Sequence, residues 1–256
     1  MLMLTAYFDE SGTHENSEDF LTIAGYLSSV DLWERFELEW LTLLKDPNFN
    51  IPYSHAVEMA HFKGPFSSWD SAIRLAFEKQ AHEIIKRNTW KSFDMSLNWA
   101  EYHACIPTYV GNNPPPAYAI LVNAVLLEVG NWLTAQQHYE PVDYVMEQGV
   151  DAQGWVFRAY NKATLEIASG KMHLRSLSFA EGKKWIDVPP RCQLQAADMN
   201  AYEINKNRKD VLSGRQQLVG RIRGSLDNLR SHDPETNLLT KSSLMHTLRE
   251  LEKKDI

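Results

Sequence analysis

The chain has 256 residues, 44% of them hydrophobic, and a formal net charge of −7. That is enough apolar material for one substantial core, and the acidic balance argues against a protein that coats nucleic acid through its whole surface. Cys105 and Cys192 stand too far apart for a disulfide framework or a zinc motif, which fits a reducing cytoplasm.

Leu2 to Phe8 reads as a strand buried on both faces, and it runs straight into Asp9-Glu10-Ser11-Gly12. A charge there needs compensation by a cation, a hydrogen-bonding turn or a metal ion. Because Asp9-Glu10 interrupts the first apolar run, no export signal is expected. Phe20 to Leu27 is a second strand, expected to form an antiparallel hairpin with the first. Asp31 and Glu34 resemble a capping box, and Leu32, Trp33, Phe36, Trp40, Leu41 and Leu44 follow at helical spacing. That helix should end near Asp46-Pro47. Asn48 to Pro65 has no clear period and contains Pro52 and Gly64, so it reads as an irregular excursion beside a site.

A helix from about Ser68 to Arg87 and an alternating strand from Lys91 to Leu97 come next. Asn112 to Pro116 is a firm break. The most apolar segment, Ala117 to Leu133, contains Asn123, Glu128, Gly130 and Asn131, which suit a core helix better than a bilayer span, and no membrane insertion is expected. Val142 to Met146 is a strand that ends at Glu147. Trp155 to Ile167 is a helix, Lys171 to Phe179 a strand, and Gln193 to Asn205 a helix carrying Asp198. Beyond Asp210 the tail looks helical through Leu218, Ile222, Leu226 and Leu229, with a last helix near Leu244 to Leu251.

Residues 200–256 hold 11 Lys or Arg against 8 Asp or Glu, net +3, leaving −10 for residues 1–199. Lys206, Arg208, Lys209, Arg215, Arg221 and Arg223 cluster after the Asp198 helix, as a solvated helical surface or as a phosphate-facing patch. The alternation of elements after an opening hairpin predicts an α/β domain, a mixed sheet with helices on both faces. It spans residues 1–210, with residues 211–256 a helical C-terminal extension packed on it. Sites in such sheets form outside the carboxyl ends of parallel strands. If the first strand pairs in parallel with the Glu147 strand, Asp9 and Glu147 emerge at one edge.

Asp9, Glu147 and Asp198 gathered in one pocket repel one another, and Mg²⁺ or Mn²⁺ is the natural counterion for such oxygen ligands. Two such ions about 4 Å apart activate a water and stabilise the leaving oxygen of a phosphodiester, which points to a nuclease on DNA or RNA. The structural alternatives are a turn or helix cap at Asp9-Glu10 and an ion pair with arginine at Asp198.

Asp9-Glu10-Ser11-Gly12, Val145-Met146-Glu147-Gln148-Gly149 and Leu194-Gln195-Ala196-Ala197-Asp198 with Ala201-Tyr202-Glu203 together resemble the bacterial and phage family called domain of unknown function 3800, across roughly residues 3–205. The resemblance implies a ribonuclease H-like fold. It also implies a strand with the first acid, a central parallel strand with the second and a late helix with the last, here Asp9, Glu147 and Asp198. Glu10 belongs to the same signature. Successive strand residues point to opposite faces, so Asp9 is the expected ligand, with Glu10 reaching the pocket only if the strand ends there. The family's His-Met-Ala-Asp-Phe-like segment stands here as Glu58-Met59-Ala60-His61-Phe62, with acid and imidazole exchanged. Glu58, His61 and His55 are thus candidates for a fourth ligand or for proton transfer. Two rival readings are an inactive interaction module of the same fold and a nucleotide phosphotransferase with actin-like strand order. The latter needs glycine-rich phosphate loops, and the 12 glycines form no such cluster.

Overall fold

The computed structural model describes residues 2–13, 20–109, 114–147, 154, 156, 170–180, 191–214 and 237–254. The helix expected at Trp155 to Ile167, the tail through Leu218 to Leu229, and Arg215, Arg221 and Arg223 lie almost wholly outside them.

The chain folds as a mixed α/β structure around a six-stranded sheet. Strand β1 (Leu4–Ser11) and strand β2 (Phe20–Ser29) form the expected antiparallel hairpin. Helix α1 (Val30–Leu44) follows at once. Its cap is Ser29, whose hydroxyl accepts from the Leu32 N–H, two residues before the Asp31 that the capping-box reading favoured. The segment read as irregular contains a five-residue helix, α2 (Ala56–Ala60). Asp70 caps α3 (Ser71–Asn88), accepting from the N–H groups of Ala72 and Ile73.

Strand β3 (Lys91–Asn98) pairs antiparallel with β2 and leads into α4 (Trp99–Cys105). After α5 (Ala117–Ala135), strand β4 (Val142–Glu147) adds parallel to β1, and β5 (Leu174–Ala180) parallel to β4. Helix α6 (Cys192–Leu212) then crosses β1 and β2. Near the end of the chain, β6 (Asn237–Leu239) pairs parallel with β3 before α7 (Lys241–Lys254). Residues 211–256 therefore supply an edge strand as well as a helix, a correction to the purely helical extension. The sheet order is β5-β4-β1-β2-β3-β6.

Helices cover both faces. Leu4, Ala6 and Phe8 of β1 pack with α5, with Leu21, Ile23 and Leu27 of β2, and with Leu244 and Leu248 of α7. On the other face Tyr26 joins Trp33, Phe36 and Trp40 of α1 and Cys192, Ala196 and Met199 of α6. Helix α5 is long and apolar enough to cross a bilayer by length and composition, yet 61% of that apolar window is buried in the core. Every residue of α6 from Cys192 to Ala201 is buried, because the helix is sandwiched between the sheet and α1 with α2. Gln193, Gln195, Asp198 and Asn205 among its buried polar side chains carry internal bonds. Gln195 Oε1 accepts from Trp40 Nε1 and from the Ser54 N–H, both at 2.9 Å.

Candidate functional site

Strands β1 and β4 run in parallel register from Leu4 with Val142 to Phe8 with Met146. The next residue on each is an acid, Asp9 and Glu147. Both follow the parity of Tyr7 and Val145, which face α6, so they leave the sheet on the same side and at the same edge. One ligand oxygen from each of Asp9, Glu10 and Glu147 lies within 4.8 Å of the others.

Glu10 reaches this cluster despite its opposite parity. Among the described residues the ladder to β4 ends at Phe8, while Glu10 stays paired with Ile23 of β2, and its longer side chain reaches the cluster from within β1. Asp9 leans the same way along the strand, its Oδ1 accepting from the Glu10 N–H at 2.7 Å. Asp9 is only 1% exposed.

The turn beyond the acids is fixed from two directions. Asn205 of α6 donates Nδ2 to the carbonyls of Ser11 and Phe20 at 3.2 and 2.6 Å, and Trp99 donates Nε1 to the Gly12 carbonyl at 3.0 Å. Gly12 has φ +82°, and a Cβ there would overlap the Phe20 carbonyl oxygen, so only glycine suits the turn.

Tyr118, in the first turn of α5, stands beside the acids. Burial pushes its phenol well above the ordinary range, and the charges of Glu10, Asp9 and Glu147 push it further the same way, so it stays a neutral donor. The amino-terminal end of α5, with its partial positive charge, therefore lies on the carboxylate side. Tyr118 went unnoticed in the sequence; the available signal was an aromatic hydroxyl opening the most apolar helix directly after a proline break.

Asp198 is buried on α6 but is not one of the three acids that meet within 4.8 Å. Its Oδ2 accepts from the Ala56 N–H at 2.6 Å, one helical turn from Gln195, so the two side chains anchor residues 54–56 to α6. Glu58 accepts from the Tyr53 hydroxyl at 3.0 Å and stands 3.6 Å from His55 Nδ1, an arrangement internal to that segment. His61 closes α2 with an exposed side chain. Arg208 lies 3.8 Å from the buried Asp94, so this member of the basic cluster faces inward instead of outward to phosphate.

Oxygens on an octahedral Mg²⁺ at about 2.1 Å stand about 3.0 Å apart in cis and about 4.2 Å in trans. The spacing of Asp9, Glu10 and Glu147 suits that geometry, and an all-carboxylate set favours hard cations. Comparisons of the chain with family models and with curated proteins find no match.

Proposed function

We propose that the protein is a divalent-metal-dependent phosphodiesterase that hydrolyses nucleic acid on a ribonuclease H-like fold, with Asp9, Glu10 and Glu147 holding Mg²⁺ or Mn²⁺. The observation that carries this reading is the convergence of three acids from two parallel strands at their carboxyl ends. The opening hairpin, the parallel acid-bearing strand and the late helix on the same face support the family resemblance, element by element. When bound, the cation supplies Lewis-acid polarisation of a phosphoryl oxygen and acidifies the attacking water. The chain's own residues set the stage for it. Asp9 and Glu147 converge from neighbouring strands, Glu10 closes the third side, and Tyr118 offers a neutral hydroxyl from α5. Asp198 positions α2 through Ala56. Cys105 and Cys192 are buried thiols, which suits a reducing cytoplasm.

The test is incubation of the purified chain with labelled single- and double-stranded DNA and RNA in Mg²⁺ or Mn²⁺, beside Asp9→Asn and Glu147→Gln. Cleavage that needs the metal and disappears in both variants supports the assignment. Cleavage that survives either substitution overturns it, and an absence of both cleavage and metal binding favours the inactive interaction module.

A further inference from the structure

We propose that the outer face of α7 is a track for the phosphate backbone of a nucleic-acid strand on its way to the carboxylate edge, an inference that rests on the nuclease reading above. Helix α7 buries Leu244 and Leu248 in the core against the α4 side of the molecule. Lys241, Ser242, Met245, His246 and Arg249 line an open recess of about 730 Å³. Among the described residues that line it, none is acidic. Lys241 and Arg249 set two permanent cations on this face of a chain whose net charge is −7.

Its position follows from topology. β6 is parallel to β3, and β3 runs in the direction of β1 because each is antiparallel to β2. The chain therefore leaves β6 for α7 at the edge where Asp9 and Glu147 emerge. Three strand spacings, about 14 Å, separate β6 from β1. Trp99 ties this corner to the carboxylate turn through the Gly12 carbonyl. Lys241 stands near enough to Cys105, at the end of α4, for its charge to act on that thiol, opposed there by Glu101 of the same helix as Cys105.

A phosphodiester chain approaching three carboxylates meets repulsion, and fixed cations beside the path offset it. From Lys241 to Arg249 the helix rises about 12 Å, which sets the two cations far enough apart to meet different phosphates of one strand. Lys241 and Arg249 hold phosphate as permanent charges, while Met245 between them gives an apolar contact for sugar or base. Lys206 and Arg208, the sequence's first candidates, are engaged with Tyr202 and Asp94.

The experiment measures binding of fluorescent oligothymidylate and oligouridylate to the full chain in EDTA across a salt series. It compares wild type with Lys241→Gln/Arg249→Gln and with the control Lys45→Gln/Lys79→Gln on exposed positions elsewhere. The α7 variant is expected to bind on the order of 10-fold more weakly and to lower the slope of log K against log salt by about 1.4. Its melting temperature and its Mn²⁺ response should match wild type. Equal binding by the α7 variant overturns the track, as does equal loss in the control, or tighter binding to anionic lipid vesicles than to either oligonucleotide. Cleavage of the same oligonucleotides after adding Mn²⁺ is read separately, so a working nuclease with an indifferent α7 separates failure of the track from failure of the nuclease reading.

Discussion

Asp9 and Glu147 sit side by side on adjacent parallel strands, one residue past the last paired step at Phe8 and Met146. Two like charges in that arrangement raise the energy of the fold unless something opposes them. Asp9→Asn or Glu147→Gln is therefore expected to leave the metal-free protein as stable as wild type or more so. In wild type, Mn²⁺ at about 100 times its dissociation constant adds about 2.7 kcal/mol, or about 5–10 °C in Tm for a chain of this size. Either substitution should remove that shift. Differential scanning fluorimetry with and without Mn²⁺ checks both halves, and an unchanged shift in Asp9→Asn would remove the acid from the ligand set.

Asp198 separates a structural role from a metal role. Asparagine keeps an oxygen for the Ala56 N–H, whereas alanine leaves that buried donor unsatisfied. Asp198→Ala should cost about 1–3 kcal/mol and Asp198→Asn much less. The Mn²⁺ shift should persist in Asp198→Asn. Urea midpoints and a Mn²⁺ titration decide the matter, and loss of the shift would bring Asp198 back among the ligands.

His82 sets a pH dependence. It is 5% exposed, and burial with help from Lys86 pushes its pKa down to about 4. The unfolded chain takes up that proton near pH 6.5 while the folded chain waits until about 4, so U binds more protons between those values. Stability is complete above about 6.5 and declines as pH falls toward 4, by on the order of 3 kcal/mol from this group. His82→Gln should flatten the curve in that window. Urea denaturation at several pH values is the measurement, and an unchanged slope would assign the dependence to other groups.

Gly130 lies in the middle of α5, where alanine is worth about 1 kcal/mol in helix propensity. A Cβ there would run into the Lys171 carbonyl oxygen and the Met172 backbone, on the segment leading into β5. Gly130→Ala should therefore destabilise, by a net 1–3 kcal/mol or about that, because rigid backbone cannot yield. A stabilised variant would show that residues 171–172 shift easily.

Much of the layout was legible in the sequence because its long elements announce themselves by period. The opening hairpin, α3, β3, α5 and the Glu147 strand all fall within a few residues of their expected ranges. β6 was invisible, since Asn237–Leu239 is too short to display alternation and owes its conformation to the exposed edge of β3. Glu10 was expected in the pocket only if the strand ended there, yet it meets Asp9 and Glu147 from within β1, which continues to Ser11. The buried roles of Gln195, Asp198 and Asn205 depend on which backbone groups α6 meets. Composition carries no trace of that.

β6 also bears on how the protein fails. Until residues 237–239 are in place, the outer edge of Lys91–Asn98 lacks the hydrogen-bonding neighbour that β6 supplies, inviting pairing between molecules. The acid-bearing strands β1 and β4 lie three and four positions inward of β6, although Phe8 shares its core with Leu244 and Leu248 of α7. Shortened forms lacking the last twenty or so residues lose both this edge cover and the buried Leu244 and Leu248, so they should precipitate, and insolubility in such a form says nothing about chemistry.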